Sequence, residues 1–401
     1  MRIEFDLIEK CCGCEVCASA CPVSCIEMTV GRDGFYYPKV NTVACIECGN
    51  CSKVCPVLNK GEKNTPIAVV EGFSKNSEIR RKSSSGGVFS ELAKVVLSER
   101  GIVYGSAFDE TLSVKEIGVE NADGLERLRG SKYVQSRMGM VYCAIEQKLK
   151  TGRKVLCSGT PCQIRALNNY LRREYDNLLT VDFVCHGVPP QLMLDKYCAY
   201  VEQKIGKSIQ NLFFRDKSVS WEDFGMRIVF EDGSELTRHQ REDDYLRLFL
   251  QNICLRGSCH NCPAKEFSSG SDLTLGDCWR LVGTEKNDHL GTSVIFLNTQ
   301  KGKAFWENNG ICVQAESVDY QTAISSSRCI THSTVPHKKR AELLAEYYYL
   351  TFEDITKKYL PGKIELLVGK ILRKTRKMLR RQAQIQDTKC TVQYEINEEE
   401  K

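Results

Sequence analysis

The sequence predicts a three-part chain: a small α+β head, an α/β domain and a helical C-terminal tail. Three observations predict this order. Ten of the 22 cysteines lie between positions 11 and 55, strand-like and helix-like segments alternate from about residue 67, and helical periodicity dominates after about residue 340. We place the head at 1–57, a linker at 58–66, the α/β domain at 67–340 and the tail at 341–401.

The composition limits the function classes before any motif is considered. The 401 residues are 42% hydrophobic and 27% charged, which excludes wholesale disorder. No apolar run approaches the roughly 18 residues of a membrane span, and the N-terminus lacks the basic and apolar regions of a secretory signal. We therefore expect a cytoplasmic protein, in which clustered thiols stay reduced and serve as metal ligands rather than disulfides.

The head contains the pattern C-x2-C-x2-C-x3-C-P twice. Three thiolates in a tight loop hold three corners of a 4Fe-4S cube, and the fourth cysteine points away to the other cluster. Two zinc ribbons are the alternative, but zinc needs only two C-x2-C pairs for each ion and leaves the other cysteines unexplained. The spacing predicts one cluster on Cys11, Cys14, Cys17 and Cys55, and a second on Cys45, Cys48, Cys51 and Cys21.

Over about 56 residues the head resembles bacterial-type two-cluster ferredoxins. The segment between the motifs, CIEMTVGRDGFYYPKV, predicts two strands joined at an Arg-Asp-Gly turn. The resemblance implies a one-electron wire. Cys12 and Cys25 have no place in the two ligand sets, and we expect them to pack beside the clusters.

The α/β domain alternates strands and helices from IAVVEGF to PPQLMLDKYCAYVEQKIG, and then adds a hairpin with Asp-Gly at its turn. The alternation predicts a mixed or parallel sheet. Neither the G-x-G-x-x-G pattern after a strand nor the G-x-x-x-x-G-K-[ST] loop occurs, so a standard dinucleotide fold or nucleotide triphosphatase is unsupported. Three loop-to-helix junctions have the polar, glycine-containing composition of phosphate cradles: RKSSSGGVF, RGSKYVQS and SGTPCQ. A simple helix cap explains each of them equally well.

In this order, SSSGGVFSELAKVVLSERGIVYGSAFD, RLRGSKYVQS, VLCSGTPCQIRAL, VCHGVPP, FRDKSVSWEDF and CLRGSCHNCPAKEFSSGSDLTLGDCW resemble the family formed by the beta subunits of coenzyme F420-reducing hydrogenases and dehydrogenases. The match covers about residues 67–300. The resemblance implies an FAD, a further 4Fe-4S cluster and a soluble electron acceptor. Carried over by motif, the residues on the flavin side are Ser85, Gly86, Gly87, Ser131, Lys132, Gly159, Thr160, Pro161 and Gln163.

A third cysteine site is predicted where Cys254, Cys259 and Cys262 follow one another in a turn-rich segment. A fourth thiolate has to come from a distant part of the chain. We expect Cys185, at the end of a predicted strand, and keep Cys278 as the runner-up. Sulfur-only ligands beside two cubes favour another 4Fe-4S cluster over zinc or an isolated dithiol.

No catalytic residue is assigned. His186 is a candidate for tuning a cluster or protonating a flavin, although a structural role explains it as well. Asp272 and Asp277 are candidates for holding a ribityl hydroxyl or for holding a loop, and the sequence does not decide between these roles.

The net charge of +5 is concentrated in the tail. Residues 363–381 contain eight basic side chains and one acid, so the other residues sum to −2. The body is therefore not a basic nucleic-acid binder. The basic amphipathic helix predicted there suits peripheral contact with an anionic membrane or an acidic partner, or a helix packed on the body with a solvated edge.

These features predict an iron–sulfur flavoprotein oxidoreductase that passes electrons between 4Fe-4S clusters, FAD and a hydride-accepting substrate, with surface-polysaccharide synthesis as one setting. The alternative is an electron-transfer beta subunit of a hydrogenase or dehydrogenase complex that reduces coenzyme F420 or a similar carrier. The expected partner is a redox protein or a small-molecule electron acceptor. A protein whose cubes are only structural is disfavoured by eight thiolates in full ferredoxin spacing.

Overall fold

The computed structural model describes residues 9–325 and 327–362. The head consists of two short helices and a hairpin, as its motifs predict, and the hairpin strands pair antiparallel from Ile26 opposite Val40 to Val30 opposite Tyr36. Each helix begins inside a cysteine motif, after a residue with positive φ: Glu15 at 62° and Gly49 at 70°. The elements are α1 (Val16–Ser19), β1 (Ile26–Val30), β2 (Tyr36–Val40) and α2 (Asn50–Val54).

The remaining strands form an eight-stranded sheet and a separate three-stranded sheet. In chain order they are β3 (Ala68–Ser74), β4 (Ile102–Phe108), β5 (Val114–Val119), β6 (Val155–Gly159), β7 (Leu178–Phe183), β8 (Ile209–Asp216), β9 (Gly225–Phe230), β10 (Glu235–His239), β11 (Leu273–Asp277), β12 (Ser293–Leu297) and β13 (Val313–Ser317).

The large sheet has the order β13-β3-β12-β11-β7-β6-β4-β5. Its four central strands, β11, β7, β6 and β4, run parallel, and the pairs at both sides are antiparallel. This confirms the predicted mixed α/β sheet. Strands β5, β8, β12 and β13 were not predicted from the sequence. The three-stranded sheet, in the order β10-β9-β8, contains the predicted Asp-Gly hairpin.

Helices cover both faces of the large sheet. The helices that follow the head are α3 (Ser77–Lys82), α4 (Val88–Ser98), α5 (Ala122–Leu128), α6 (Val141–Lys150), α7 (Pro161–Leu171), α8 (Gln191–Ile205), α9 (Asp244–Leu250), α10 (Gln300–Asn308), α11 (Tyr320–Ser325) and α12 (Arg340–Glu346).

The head and the large sheet share one hydrophobic core. Val16 and Val54, from the two short helices of the head, are fully buried with Tyr142 and Ile145 of α6 and Leu167 of α7. A second core on the other face contains apolar residues of α4, α5 and α10. Because burying such side chains contributes about 25 cal/mol per Å² of apolar surface, the head is held by the same force that holds the sheet.

The segment predicted as a linker packs against the body. The backbone N–H of Asn64 donates to the carbonyl of Glu266 at 3.1 Å. At Gly61, a Cβ atom would come within 1.8 Å of the carbonyl oxygen of Ser268, so only glycine fits there. The segment therefore connects the two parts in a defined path.

The C-terminal region divides differently from the prediction. The continuous helical pattern over 341–360 contains two helices, α12 and α13 (Phe352–Tyr359), separated near residue 350. The chain splits into two compact units after Phe352, and the described part of the second unit is residues 353–362. The basic helix predicted at 363–381 lies outside the described residues. Within the described ranges no helix is long and apolar enough to span a membrane.

Candidate functional site

The cysteines predicted to bind the two clusters lie close to one another in the head. Burial and the neighbouring thiols Cys11, Cys55 and Cys51 raise the pKa of Cys17. The pKa of Cys14 is also raised, despite a hydrogen bond with Cys12 that lowers it, by burial and by the thiols of Cys17 and Cys55. The four predicted ligands of the first cluster are thus neighbours, and Cys51 of the second predicted set is close to Cys17 as well. The ligands predicted for the second cluster line one small hollow with Cys25: Cys21, Cys45, Cys48 and Cys51.

The two spare thiols of the head lie beside these groups. Cys25 Sγ is 3.4 Å from Cys21 Sγ. Cys12 is buried and interacts with the thiols of both Cys14 and Cys162. Cys12 thus lies between the head and a cysteine of the α/β part.

A third group of thiols lines a hollow that we call the thiol hollow. Five cysteines line it: Cys12 of the head, Cys162 near the start of α7, Cys185 after β7, and two from the turn that follows α9, Cys259 and Cys262. Burial raises the pKa of Cys185 well above its usual value, and repulsion from Cys259, Cys162 and Cys262 adds to it. Buried thiols this close favour a positively charged partner that accepts them as thiolates.

Cys254 does not lie in the thiol hollow, contrary to the sequence-based assignment. It is buried, with a pKa raised to about 12 by that burial, and none of the thiols contributes to its shift. The runner-up Cys278 is also elsewhere, interacting with Glu71. Cys162 occupies the place expected for Cys254, because the first turn of α7 meets the end of β7 at the same edge of the sheet.

The backbone beside the thiol hollow is shaped for close approach. Gly187 has φ of 142°, and a Cβ atom there would lie 2.8 Å from Leu255 and 3.3 Å from Cys259. Within the described residues, no three His, Cys, Asp or Glu side chains converge tightly enough to hold a single metal ion.

Next to the thiol hollow lies a larger cavity of about 470 Å³, the main cavity. It opens at the carboxyl ends of the parallel strands β4, β6, β7 and β11, where ligands bind in open α/β sheets. Its size is within the range of small-molecule and cofactor sites. The two cavities share a wall formed by residues that line both of them: Ser136, Thr160, Cys185, His186, Gly187 and Val188.

The residues predicted for the flavin divide between the two cavities. Five line the main cavity: Ser85, Gly87, Ser131, Lys132 and Thr160. Pro161 and Gln163 line the thiol hollow instead, and Gly86 and Gly159 line neither. The N–H of Gly86 is taken by Ser293 Oγ at 3.0 Å, and a Cβ atom at Gly86 would come within 2.6 Å of the Gly72 carbonyl oxygen. Gly86 therefore serves the packing of the loop.

Two basic side chains, the half-buried Lys132 and the buried Arg215, line the main cavity. Lys132 Nζ donates to the carbonyls of Arg127 and Arg129 at 3.0 Å, and burial lowers its pKa to about 7. Arg215 pairs with Asp277 at 3.0 Å, and its Nε has no hydrogen-bond partner in the described part of the chain. A buried, unsatisfied donor beside a cavity is suited to an anionic group of a ligand. The sequence did not single out Arg215, although it lies within the quoted FRDKSVSWEDF.

Aromatic rings lie beside Arg215 in the main cavity. The ring of Tyr133 stacks on Phe249 with centroids 4.4 Å apart, and the guanidinium carbon of Arg215 lies 5.4 Å from the ring centroid of Trp279. These three rings line the main cavity. Flat aromatic surfaces beside basic side chains suit a planar anionic cofactor.

The three candidates left open by the sequence have different settings. His186 lies 2.6 Å from Asn252 Oδ1, and burial lowers its pKa. Asp272 accepts from the backbone N–H of Thr180 at 2.8 Å and from Thr299 at 2.7 Å, which joins β7 to α10. Asp277 lines the main cavity through its pair with Arg215. Asp272 therefore holds structure, and Asp277 belongs to the cavity.

Comparison with known proteins finds a family match in each of the two main parts of the chain. Residues 152–320 match the family described as the C terminus of the coenzyme F420 hydrogenase/dehydrogenase beta subunit. Residues 10–59 match the 4Fe-4S dicluster domain. The head is therefore a dicluster domain that supports two 4Fe-4S clusters.

Among named relatives, the chain is 25% identical over 312 residues to a subunit of the F(420)H(2) dehydrogenase of Methanosarcina mazei, covering 75% of this chain and 82% of that protein. It is 36% identical over 76 residues to an uncharacterized polyferredoxin-like protein of Methanocaldococcus jannaschii, covering 17% of this chain and 45% of that protein. A chain of the F420-reducing NiFe hydrogenase complex from Methanosarcina barkeri aligns with a TM-score of 0.43 and 17% identity, over 74% of this chain and 93% of that one.

Proposed function

We propose that this chain is an electron-transfer subunit. The proposal proceeds from the chain's matches to a 4Fe-4S dicluster domain and to the C-terminal part of a coenzyme F420 hydrogenase/dehydrogenase beta subunit. The chain passes electrons along three 4Fe-4S clusters to or from an FAD, and exchanges them with a partner protein or a soluble hydride carrier. The relative from Methanosarcina mazei, itself named as part of a dehydrogenase, supports this assignment over an enzyme with its own metabolite substrate.

The thiol hollow holds the third cluster in this proposal. Its ligands are Cys162, Cys185, Cys259 and Cys262, with Cys162 replacing the predicted Cys254. The fit is supported by these four thiols lining one hollow, beside a fifth, Cys12, that also interacts with Cys14. The close passage of Gly187 leaves space at Cys259. Sulfur-only donors of this kind suit iron–sulfur clusters.

The main cavity holds the FAD in this proposal. The start of α4 at Gly87 and the cations Lys132 and Arg215 supply positive potential for the pyrophosphate. When bound, the flavin would exchange electrons in pairs with a hydride carrier and singly with the clusters. The protein keeps this wall dry with Tyr133, Phe249 and Trp279.

The main support for this function is that the main cavity and the thiol hollow share a wall. Cys185 belongs to both linings, so an iron–sulfur cluster on its thiolate is adjacent to whatever the main cavity binds. On the other side, Cys12 interacts with Cys162 and with Cys14 of the first cluster. The cofactor sites therefore form a continuous series from the head to the main cavity.

A reductive titration of the anaerobically purified full chain tests this function. Three clusters taking one electron each and one FAD taking two predict about five electrons for each chain. The reduced protein is then mixed with oxidised coenzyme F420, with nicotinamides, or with a metabolite panel. Fast reoxidation by a hydride carrier supports the electron-transfer role. Turnover of a metabolite with none of the carriers accepted would instead establish an enzyme with its own substrate.

A further inference from the structure

Glu116 lies between the main cavity and a second cavity at the protein surface. It belongs to β5, and its side chain is only 6% exposed. This second cavity, which we call the outer cavity, has a volume of about 680 Å³ and is lined by Glu116 but by no residue of the thiol hollow. On its inner side, Glu116 is hydrogen-bonded to residues that line the main cavity.

Two serine hydroxyls connect Glu116 to the main cavity. Ser106 and Ser136 both donate to Glu116 Oε1, the latter at 2.9 Å, and both line the main cavity. Ser136 also accepts a hydrogen bond from Gln163 Nε2 at 2.9 Å, which fixes its orientation. In the described part of the chain, the hydroxyl of Ser106 has Glu116 as its one partner. Ser106 can therefore also bond a group inside the main cavity: it accepts from that group while it donates to Glu116, and it donates to that group when a protonated Glu116 donates to it.

The protonation of Glu116 is balanced near neutrality. Burial raises its pKa to about 7, while the two serine donors and the Lys132 ammonium act against the rise. On the inner side it faces Lys132 and Cys157, whose thiol is kept neutral because burial raises its pKa. The titratable and charged groups around the outer cavity are Tyr104, Lys115, Glu120, Arg137 and Lys148.

Most of those outer groups are engaged elsewhere. Lys115 pairs with Asp109, and Arg137 pairs with Glu15. Glu120 pairs with Arg153 at 2.8 Å. Glu116 therefore has no close cationic partner on this side, among the described residues, that would hold it permanently ionised.

We propose that Glu116 and Ser106 form a proton relay between the outer cavity and the main cavity. The protonated Glu116 donates its proton to Ser106 Oγ, the hydroxyl proton of Ser106 passes to an acceptor in the main cavity, and water in the outer cavity then reprotonates Glu116. For electrons leaving the flavin, each step runs in reverse. One proton enters and one is delivered, so charge and atoms balance.

This relay rests on the proposed function, because reduction of a flavin by two electrons requires a proton. Electrons would reach the main cavity through the wall that contains Cys185, whereas the proton would arrive from the side of β4 and β5. The relay residues Glu116 and Ser106 are not part of the wall that contains Cys185. Separate routes explain why a glutamate is buried beside two cavities when an apolar residue would pack there at lower cost.

Protein-film voltammetry of the holoprotein tests the relay without a substrate or partner. Electron exchange at the flavin is coupled to proton transfer, so the separation of its voltammetric peaks at increasing scan rate reports the rate of that coupled exchange. The cluster signals serve as an internal reference. The variants are Glu116→Gln and Ser106→Ala. The matched control is Glu120→Gln, which changes a glutamate on the same outer cavity that has no bond to Ser106 or Ser136.

We expect Glu116→Gln and Ser106→Ala each to slow flavin exchange about 100-fold, with the flavin midpoint potential and cluster signals unchanged. The control should match the wild type. Equal exchange rates in all four proteins would overturn the relay. An absent flavin signal in the wild type would instead overturn the proposed function.

Infrared spectroscopy of the flavin-free chain gives a second reading. We expect a carboxylic acid band that titrates near neutral pH and shifts in deuterated water. The same band should be absent in Glu116→Gln. If no such band disappears in the variant, Glu116 is not a protonated carrier and the relay is wrong whether or not flavin binds.

Discussion

At the scale of single residues, the position of Cys162 explains how the third thiol group forms. It is the second residue of α7, directly after Pro161, which starts the helix with its fixed φ. Gln163 Oε1 accepts from the Thr160 backbone N–H at 2.9 Å, so the first turn is capped. This rigid start presents the Cys162 thiol to Cys185 and to the turn that contains Cys259.

Replacing Cys162 by serine should remove about four irons from each chain, since the cluster would lose one of four thiolates. Cys254→Ser is the matched control, because Cys254 is close in sequence to Cys259 but buried outside the thiol hollow. Iron analysis and electron paramagnetic resonance of the reduced proteins provide the measurement. If Cys254→Ser loses the irons and Cys162→Ser retains them, the ligand set proposed above is wrong.

A second residue-scale prediction concerns Asp243, which caps α9. Its carboxylate accepts from Tyr197 Oη at 2.5 Å and from the Leu246 backbone N–H at 3.0 Å, and burial raises its pKa to about 6. Because the pKa of Asp243 is higher in the folded than in the unfolded state, its protonation stabilises the fold. This contribution to the free energy of unfolding is fully present below about pH 4 and is lost as the pH rises through about 6. The loss is about 3 kcal/mol at most.

Asp243→Asn should remove that pH dependence while keeping a helix-capping side chain. Denaturant unfolding at several pH values between 4 and 7 measures the free energy of unfolding. Asp244→Asn, which alters an acid paired with Arg247 on the same helix, is the control and should retain the wild-type slope. A wild-type slope in Asp243→Asn would contradict the assignment.

At the scale of secondary-structure elements, the carboxyl ends of β4, β6, β7 and β11 create the site. The loops after these strands supply Thr160 and Cys185, and the ends of β4 and β11 supply Ser106 and Asp277. Arg256 joins this framework to the head. Its guanidinium donates to the carbonyl of Cys11 at 2.6 Å, to Gln135 Oε1 at 2.8 Å and to the Tyr36 carbonyl at 2.9 Å.

Arg256→Met should loosen the head because three partly buried acceptors lose their donor at once. The expected loss in unfolding free energy is about 3–5 kcal/mol. Hydrogen exchange should show faster exchange of amides in β1 and β2. Arg165→Met is the control, because the Arg165 bonds to the carbonyls of Asn59 and Lys60 are exposed. Unchanged protection in Arg256→Met would contradict this anchoring role.

Local patterns in the sequence predict only part of this arrangement. The spacing of the head cysteines predicts both thiol groups there, since each set of three lies within one loop. The third group needs Cys162 and Cys185, which come together only when β6 and β7 pair in parallel. The sequence suggests Cys254 as a cluster ligand because it is close to Cys259 along the chain. No local pattern shows that Cys162, rather than Cys254, lies near Cys259 in the fold. Glu116 was missed for the same reason: its serine partners come from two other segments.

At the scale of the whole molecule, the three thiol groups and the main cavity follow one another from the edge of the head to the centre of the α/β domain. The second thiol group includes the exposed Cys48, whereas the main cavity lies at the far end of the series. The packed linker and the shared hydrophobic core hold the first and third thiol groups in a fixed relation. Such fixed spacing is what the protein contributes to electron transfer between cofactors.

Iron and flavin analysis of the anaerobically purified full chain separates a three-cluster flavoprotein from a chain whose clusters lie only in the head. Three 4Fe-4S clusters and one FAD predict about twelve irons and one flavin for each chain. About eight irons without flavin would contradict the account, and would leave a dicluster head joined to an α/β domain with no redox cofactor of its own.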